Sequence, residues 1–341
     1  MKQLLSLLFM TVFFCSCKKS SSPNVIAGNK IGLVLNEGNF NFGNASVTSF
    51  DMLTGIAVAD QYKATNQVAL GDVVQSCYVR DSTGYLVVNN SAKITAVSLG
   101  NNLKKRFDIV LPGSSPRYMT ATTSGKAFIT ELYANKIWLA DLTTNNITGS
   151  IPVSGWTEQL ALIGNQLFVV QRKKLGGADA AALLVIDANS NQIIQTISLP
   201  TDPNGMVVNS SGTSVFVMCE AKSTTPARIY SVDVASLAKT DSLIFSASDK
   251  PSLLTIDRMN RLYFANQNVY RISGLKASRE ELIHGENQQW YGLGIDANYR
   301  LFASDAIDYV QSSNITCVDS TGRTVFSFRS GINANGFVFP Q

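Results

Sequence analysis

Seven apolar runs in this sequence end on, or just before, a polar side chain: Glu37, Asn89, Glu131, Gln171, Glu220, Asn266 and Asp305. Carboxylates gathered at one place could do acid–base work of the kind used in glycoside or lyase chemistry, one group giving a proton while another takes it. Nothing in the spacing of these residues selects such a pair. The chain holds a single histidine, His284, which excludes a histidine-based metal site. A Ser-His-Asp triad would have to be built on that residue, and no nucleophile elbow accompanies it. The stretch DANSNQ (187–192) opens like a calcium loop, but Gln192 stands where the sharp turn needs Gly, and Ser198 where a bidentate acid is required. No catalytic residue, metal or cofactor is therefore expected. What remains is recognition chemistry. Trp156, Trp290, Tyr118, Tyr133, Tyr291 and Tyr309 can bury large apolar area while keeping a polar handle, and Arg117 and Arg172 lie among them.

The elements that must position these residues repeat. An apolar strand recurs as LVLNE (33–37), YLVVNN (85–90), AFITE (127–131), LFVVQ (167–171), VFVMCE (215–220), LYFANQ (262–267) and LFASD (301–305). Each is followed by a second strand closing on Asp51, Ser98, Asp141, Asp187, Asp233, Ser273 or Asp319, which lie 40 to 47 residues apart. That period is the signature of a β-propeller with one four-stranded antiparallel blade per repeat, so the sequence predicts an all-β, seven-bladed ring. The repeated Asp is expected to close turns, because its side chain accepts from backbone two residues on. The first unit lacks an inner strand and the last has one too many. NGFVF (335–339), which matches NGMVV (204–208), is expected to pair beside LVLNE and close the ring.

Turns after the first and third strands of each unit are tight, as in DSTG and TTSG, whereas the connections on the opposite face are long. These include 37–45, 61–72, 171–181, 220–228, 284–292 and 305–314. Binding residues concentrate on such loops over a rigid scaffold. The aromatic residues, apart from Trp138 within a strand, are expected in the loops of this face, and the polar strand ends are expected to ring the channel mouth. Lys173 and Lys174 read as a solvated loop.

At the N-terminus, Lys2 precedes an apolar run from Leu4 to Phe14, too short to span a bilayer, so residues 1–16 read as a signal peptide. Ser16-Cys17 resembles the lipobox of bacterial lipoproteins, which implies lipidation at Cys17, a flexible tether over 17–29 and a single propeller over 30–341. Such an anchor would be the chain's only attachment to a membrane. Charged residues make up 15% of the chain, against roughly 25% in typical soluble domains. A net charge of +4 without a basic cluster gives no reason to expect nucleic acid. Cys77, Cys219 and Cys317 each sit in an apolar run and read as buried, inert thiols.

Taken together, LNEGNF (35–40), GNASVTSFD (43–51) and the Thr54-Gly55 turn resemble the first blade of the YncE-like, YVTN-type propellers, in the branch found as Bacteroidetes lipoproteins. The resemblance implies an outer-membrane lipoprotein, facing the cell surface or the periplasm. Lys18 and Lys19 stand where surface-exported relatives carry acidic residues. It also implies kinship with the cobalamin-binding surface lipoproteins of the BtuG type, which hand a corrinoid to an outer-membrane transporter. The expected function is capture of a small molecule, a corrinoid by that resemblance, by a monomer serving a TonB-dependent transporter. A protein–protein scaffold is the alternative, with a propeller enzyme behind it. Trp156, Trp290, Tyr291 and Tyr118 are expected as contact surfaces, with the two Trp residues converging. Arg117 and Arg172 would anchor anionic or amide groups, and Glu131 and Glu220 would accept hydrogen bonds.

Overall fold

A computed structural model describes residues 31–172 and 181–340. Residues 1–29, where a signal peptide, a lipidated Cys17 and a tether are expected, and Lys173 and Lys174 lie outside the described residues. The described strands form seven four-stranded sheets, each an antiparallel meander. Blade 1 combines Ala334–Val338 with Ile31–Asn36, Ser46–Asp51 and Ala57–Val58. Blades 2 to 7 begin with the inner strands Val74–Arg80, Pro116–Ala121, Trp156–Ile163, Pro203–Val208, Ser252–Ile256 and Trp290–Ile295. Each inner strand contacts the inner strands of its two neighbours, so the sheets stand around a central channel.

The core is not central. It is divided into seven apolar slabs, one between each pair of adjacent blades. In blade 2, Leu86 and Val88 pack toward blade 1, while Tyr85 and Val87 pack toward blade 3. A sheet buried on both faces needs apolar side chains at successive positions, which is why the second strands read as continuous apolar runs instead of alternating ones. Phe128, Phe168, Tyr263 and Phe302 occupy equivalent places in four of these strands, each fully buried against the next blade.

Ring closure follows the expected route. Leu33 pairs with Val338, Val34 with Phe337 and Leu35 with Gly336, so strands from the two ends of the described fold share one blade. Blade 7 is shaped to receive this strand: a Cβ on Gly294 would stand 2.7 Å from the Cβ of Phe337. Asp51, Asp141, Asp187, Asp233 and Asp319 close their turns by accepting from backbone N–H groups and from a Ser or Thr hydroxyl two or three residues on. One connection expected as a long loop contains a short helix, Gln61–Asn66, begun by the Asp60 carboxylate accepting from the Lys63 N–H and holding Tyr62 buried against blades 1 and 2.

Candidate functional site at the channel mouth

Every inner strand is broken at the same place. Its register against the second strand slips by one residue at Asn335, Gln75, Arg117-Tyr118, Glu158-Gln159, Asn204, Leu253-Leu254 and Tyr291, in blades 1 to 7 respectively. A bulge of this kind leaves a residue without a ladder partner and re-aims its side chain. Here the seven bulges lie at the level of the loop-rich face, and each contributes to the lining of one cavity of about 200 Å³. Glu37 and Arg172 complete its wall from the ends of two second strands. Leu253 alone brings an apolar side chain from its bulge, and it holds a left-handed φ of 60°. That conformation is uncommon for a residue other than Gly, and the bulge geometry imposes it.

The polar groups form one connected arrangement. The Arg117 guanidinium donates from Nε to Glu158 at 2.9 Å and from Nη1 to the Gln75 side-chain oxygen. Tyr291 donates its hydroxyl to Glu37 at 2.6 Å, and Asn335 donates to the other Glu37 oxygen at 2.8 Å. Gln159 donates to the Tyr118 hydroxyl at 3.3 Å. Burial raises the pKa of Glu37, only partly offset by the Tyr291 hydrogen bond and the Arg117 charge. Burial, then the Glu158 carboxylate, pushes the Tyr118 phenol up to about 12. Burial and Glu37 raise the Tyr291 phenol as well. Burial opposes the Arg117 charge, but Glu158, Tyr118 and Glu37 outweigh it and raise the guanidinium pKa. The mouth therefore offers a fixed cation, carboxylates, two neutral phenols and several amides in a confined space. This set suits recognition of polar groups by directed hydrogen bonds.

Four of the residues expected from sequence, Arg117, Tyr118, Arg172 and Tyr291, are brought together here. Glu220 stands next to them, accepting from Arg172 Nη2 at 3.1 Å across to blade 5. Glu131 does not face the mouth. It is buried, and its oxygens accept from the Ser115 and Tyr133 N–H groups and from Trp138 Nε1. The two tryptophans do not converge: Trp156 belongs to blade 4 and Trp290 to blade 7, and neither lines the cavity. Trp156 meets Tyr133 edge-on at 5.6 Å, whereas Trp290 packs into the slab between blades 6 and 7 and donates to the Gln267 carbonyl at 2.6 Å.

Two expectations about position need correction. Tyr118, Trp156, Trp290 and Tyr291 are inner-strand residues, not loop residues. The strands begin before the bulge, and the bulge's polar residues masked that start. The polar strand ends also do not form a common ring, since only Glu37 among them lines the cavity. Glu131, Gln171, Asn266 and Asp305 instead accept from the N–H groups of Ser115, Ser154, Lys250 and Gln289, fastening the entry of the inner strand in their own blades. In blade 1 Asn36 takes a comparable part, accepting from Ser330 and Gly331, which leaves Glu37 free to turn inward.

Gln75, Glu158, Gln159 and Asn335 were missed as a group. Their signal is a positional one, visible when VVQSC, SPRYM, TEQLA, DPNGM, PSLLT, WYGLG and NANGF are set against each other. The residue at each bulge varies freely while its flanks stay apolar or small.

Residues 32–327 match the family model described as a domain of unknown function, DUF5074. The chain belongs to that family. Among curated proteins, this DUF5074 member is 24% identical over 169 residues to the protein YncE of Salmonella typhi and of Salmonella typhimurium, described there as uncharacterized. The matched stretch covers 48% of the chain and 43% of those relatives, less than half the length of either. Solved structures share the fold at low identity. A quinonprotein alcohol dehydrogenase-like protein from Bacteroides thetaiotaomicron is 14% identical with a TM-score of 0.69, over 92% of this chain and 77% of that one. A Lactobacillus plantarum protein is 11% identical with a TM-score of 0.66, over 92% and 99%. Hydrazine synthase of Kuenenia stuttgartiensis is 13% identical with a TM-score of 0.59, over 70% and 73%. These likenesses speak for the propeller and not for a shared activity.

Proposed function

We propose that this DUF5074 propeller is a binding protein, not an enzyme, that captures a small polar molecule at the loop-rich mouth of its channel. The observation that carries this reading is the convergence of seven bulges on one cavity holding Glu37, Arg117, Tyr118, Glu158 and Tyr291. A corrinoid is the candidate ligand, by the resemblance of the first blade to the cobalamin-binding lipoproteins. Its many amide groups match the donors and acceptors of the mouth. The cavity of about 200 Å³ is smaller than the roughly 300–1,000 Å³ that enclose drug-sized ligands, so a corrinoid would lie across the face with a peripheral group in the mouth. Anchoring at the outer membrane through Cys17, and delivery to a TonB-dependent transporter, belong to the same proposal.

The test is calorimetric titration of the folded protein with a corrinoid panel that includes cyanocobalamin. Micromolar or tighter binding is expected, weakened by about 2 kcal/mol in Arg117→Ala and in Tyr291→Ala. Absence of heat with every corrinoid would remove that ligand. Retention of Cys17→Ser in the membrane fraction would remove the anchor.

A scaffold role is the second reading, favoured by a separate observation. Phe40 is 60% exposed, Phe42 76% and Val310 67%, all on the loops of this face. The Asn39 side chain donates to the Tyr309 carbonyl at 2.8 Å, tying the two loops together. Co-purification of an outer-membrane protein that Phe40→Ser and Phe42→Ser abolish would support this reading over the first.

A further inference from the structure

The opposite, tight-turn face carries a second and larger cavity, about 400 Å³ in volume, where blades 6, 7 and 1 meet. That volume lies within the range of pockets that enclose small molecules. Met52, Ile256, Ile295, Ala297, Phe339 and Pro340 supply its apolar wall, and Asn298 stands among the polar groups that complete it. Two buried acids, Asp257 and Asp296, lie beneath them, one from each of the related turns IDRMNR (256–261) and IDANYR (295–300). Both are already neutralised. Asp257 accepts from the N–H groups of Met259 and Arg261 and pairs with the Arg261 guanidinium at 2.6 Å. Asp296 accepts from the N–H groups of Asn298 and Arg300 and pairs with Arg300 at 2.6 Å.

Arg258 also lines the cavity, is exposed, and makes no ion pair among the described residues. With Asp257 and Asp296 engaged by Arg261 and Arg300, Arg258 is left, among the described residues, as a cation without an acidic partner at the edge of the hollow. We propose that this cavity is a second binding site, independent of the channel mouth, for an anionic amphiphile. The apolar body would occupy the hollow against Ile256, Ile295 and Phe339, and the acid group, a carboxylate, sulfonate or phosphate, would pair with Arg258. A neutral apolar molecule would gain only the first contribution, and a small inorganic anion only the second. Selectivity for molecules carrying both parts is the distinguishing property.

The probe is anilinonaphthalene sulfonate, an anionic aromatic fluorophore, titrated into the folded full chain beside its neutral counterpart N-phenylnaphthylamine. Saturable binding of the sulfonate at one equivalent is expected. Arg258→Ala should weaken the sulfonate about tenfold, the scale of a hydrogen bond to a charged group, and leave the neutral probe nearly unchanged. Ala297→Trp, which places a large side chain into the hollow from an exposed position, should abolish binding of both probes while the far-ultraviolet circular dichroism stays that of the parent. No saturable binding would overturn the proposal. So would sulfonate binding that both variants leave intact, or binding lost instead on Phe40→Ser and Phe42→Ser, which would place the probe on the other face.

Discussion

Glu37 sits where burial raises its pKa while Tyr291 and Asn335 donate to both of its oxygens. The sign of its contribution follows from proton linkage. With a folded pKa above the ordinary 4.5, the folded state binds more protons than the unfolded one between those two values. Stability from this group is therefore greatest below 4.5 and is lost as pH rises through the raised value. Glu37→Gln removes the titration. The stability of the parent relative to this variant, measured by denaturant unfolding from about pH 4 to about pH 7, should fall as pH rises and then level off. A constant difference would show that Glu37 is not held in a desolvated place. The cysteines give a simpler expectation. Burial pushes the thiols of Cys77, Cys219 and Cys317 up to about 12, so none should react with a thiol reagent at neutral pH until the ring unfolds.

The turns follow from the sequence directly, whereas the inner strands do not. Asp319 is held down to about 2, first by the Thr321 hydroxyl and then by the Thr321 N–H, and Asp51, Asp141, Asp187 and Asp233 are lowered for similar reasons. A lowered carboxylate stabilises the fold above its unfolded value of 3.8, and that contribution is lost as pH falls toward the folded value. Asp319→Ala should thus lower the melting temperature at neutral pH, and the gap from the parent should close near pH 2, as read by thermal scans. Gly294→Val makes a second test, since its Cβ meets Phe337; overpacking there should cost about 1–3 kcal/mol. These turns were legible in advance because a recurring Asp before Ser or Thr has a local mechanism. So were the second strands, whose two-sided burial writes an apolar run such as LFVVQ directly into the chain. The bulges were not, because slipping one residue of register leaves composition and period unchanged. Trp290 illustrates the cost: its place before Tyr291 and Gly292 resembles a loop, while the backbone already pairs it with Asp305.

At the scale of the whole molecule, each blade is a slab face for two neighbours, and only blade 1 is assembled from distant parts of the chain. Removing residues 335–341 should therefore lower the stability of every blade together. Hydrogen exchange in blades 3 to 5, far from the cut, should lose protection along with blade 1; protection retained there would mean that the ring does not unfold as a unit. The same closing strand also has a consequence for biosynthesis. Glu37 and Asn335, which share a hydrogen bond at the mouth, are separated by 298 residues of chain. During synthesis and any passage through a membrane, blades 2 to 7 can form in order as they appear, but blade 1 must wait, its second strand exposed, until the strand that follows blade 7 emerges. The mouth waits with it, because Glu37, Tyr291 and Asn335 meet only when the strand docks. A nascent chain can have six blades folded and still have no site, so competence to bind is itself a proofreading signal that the closing strand has docked.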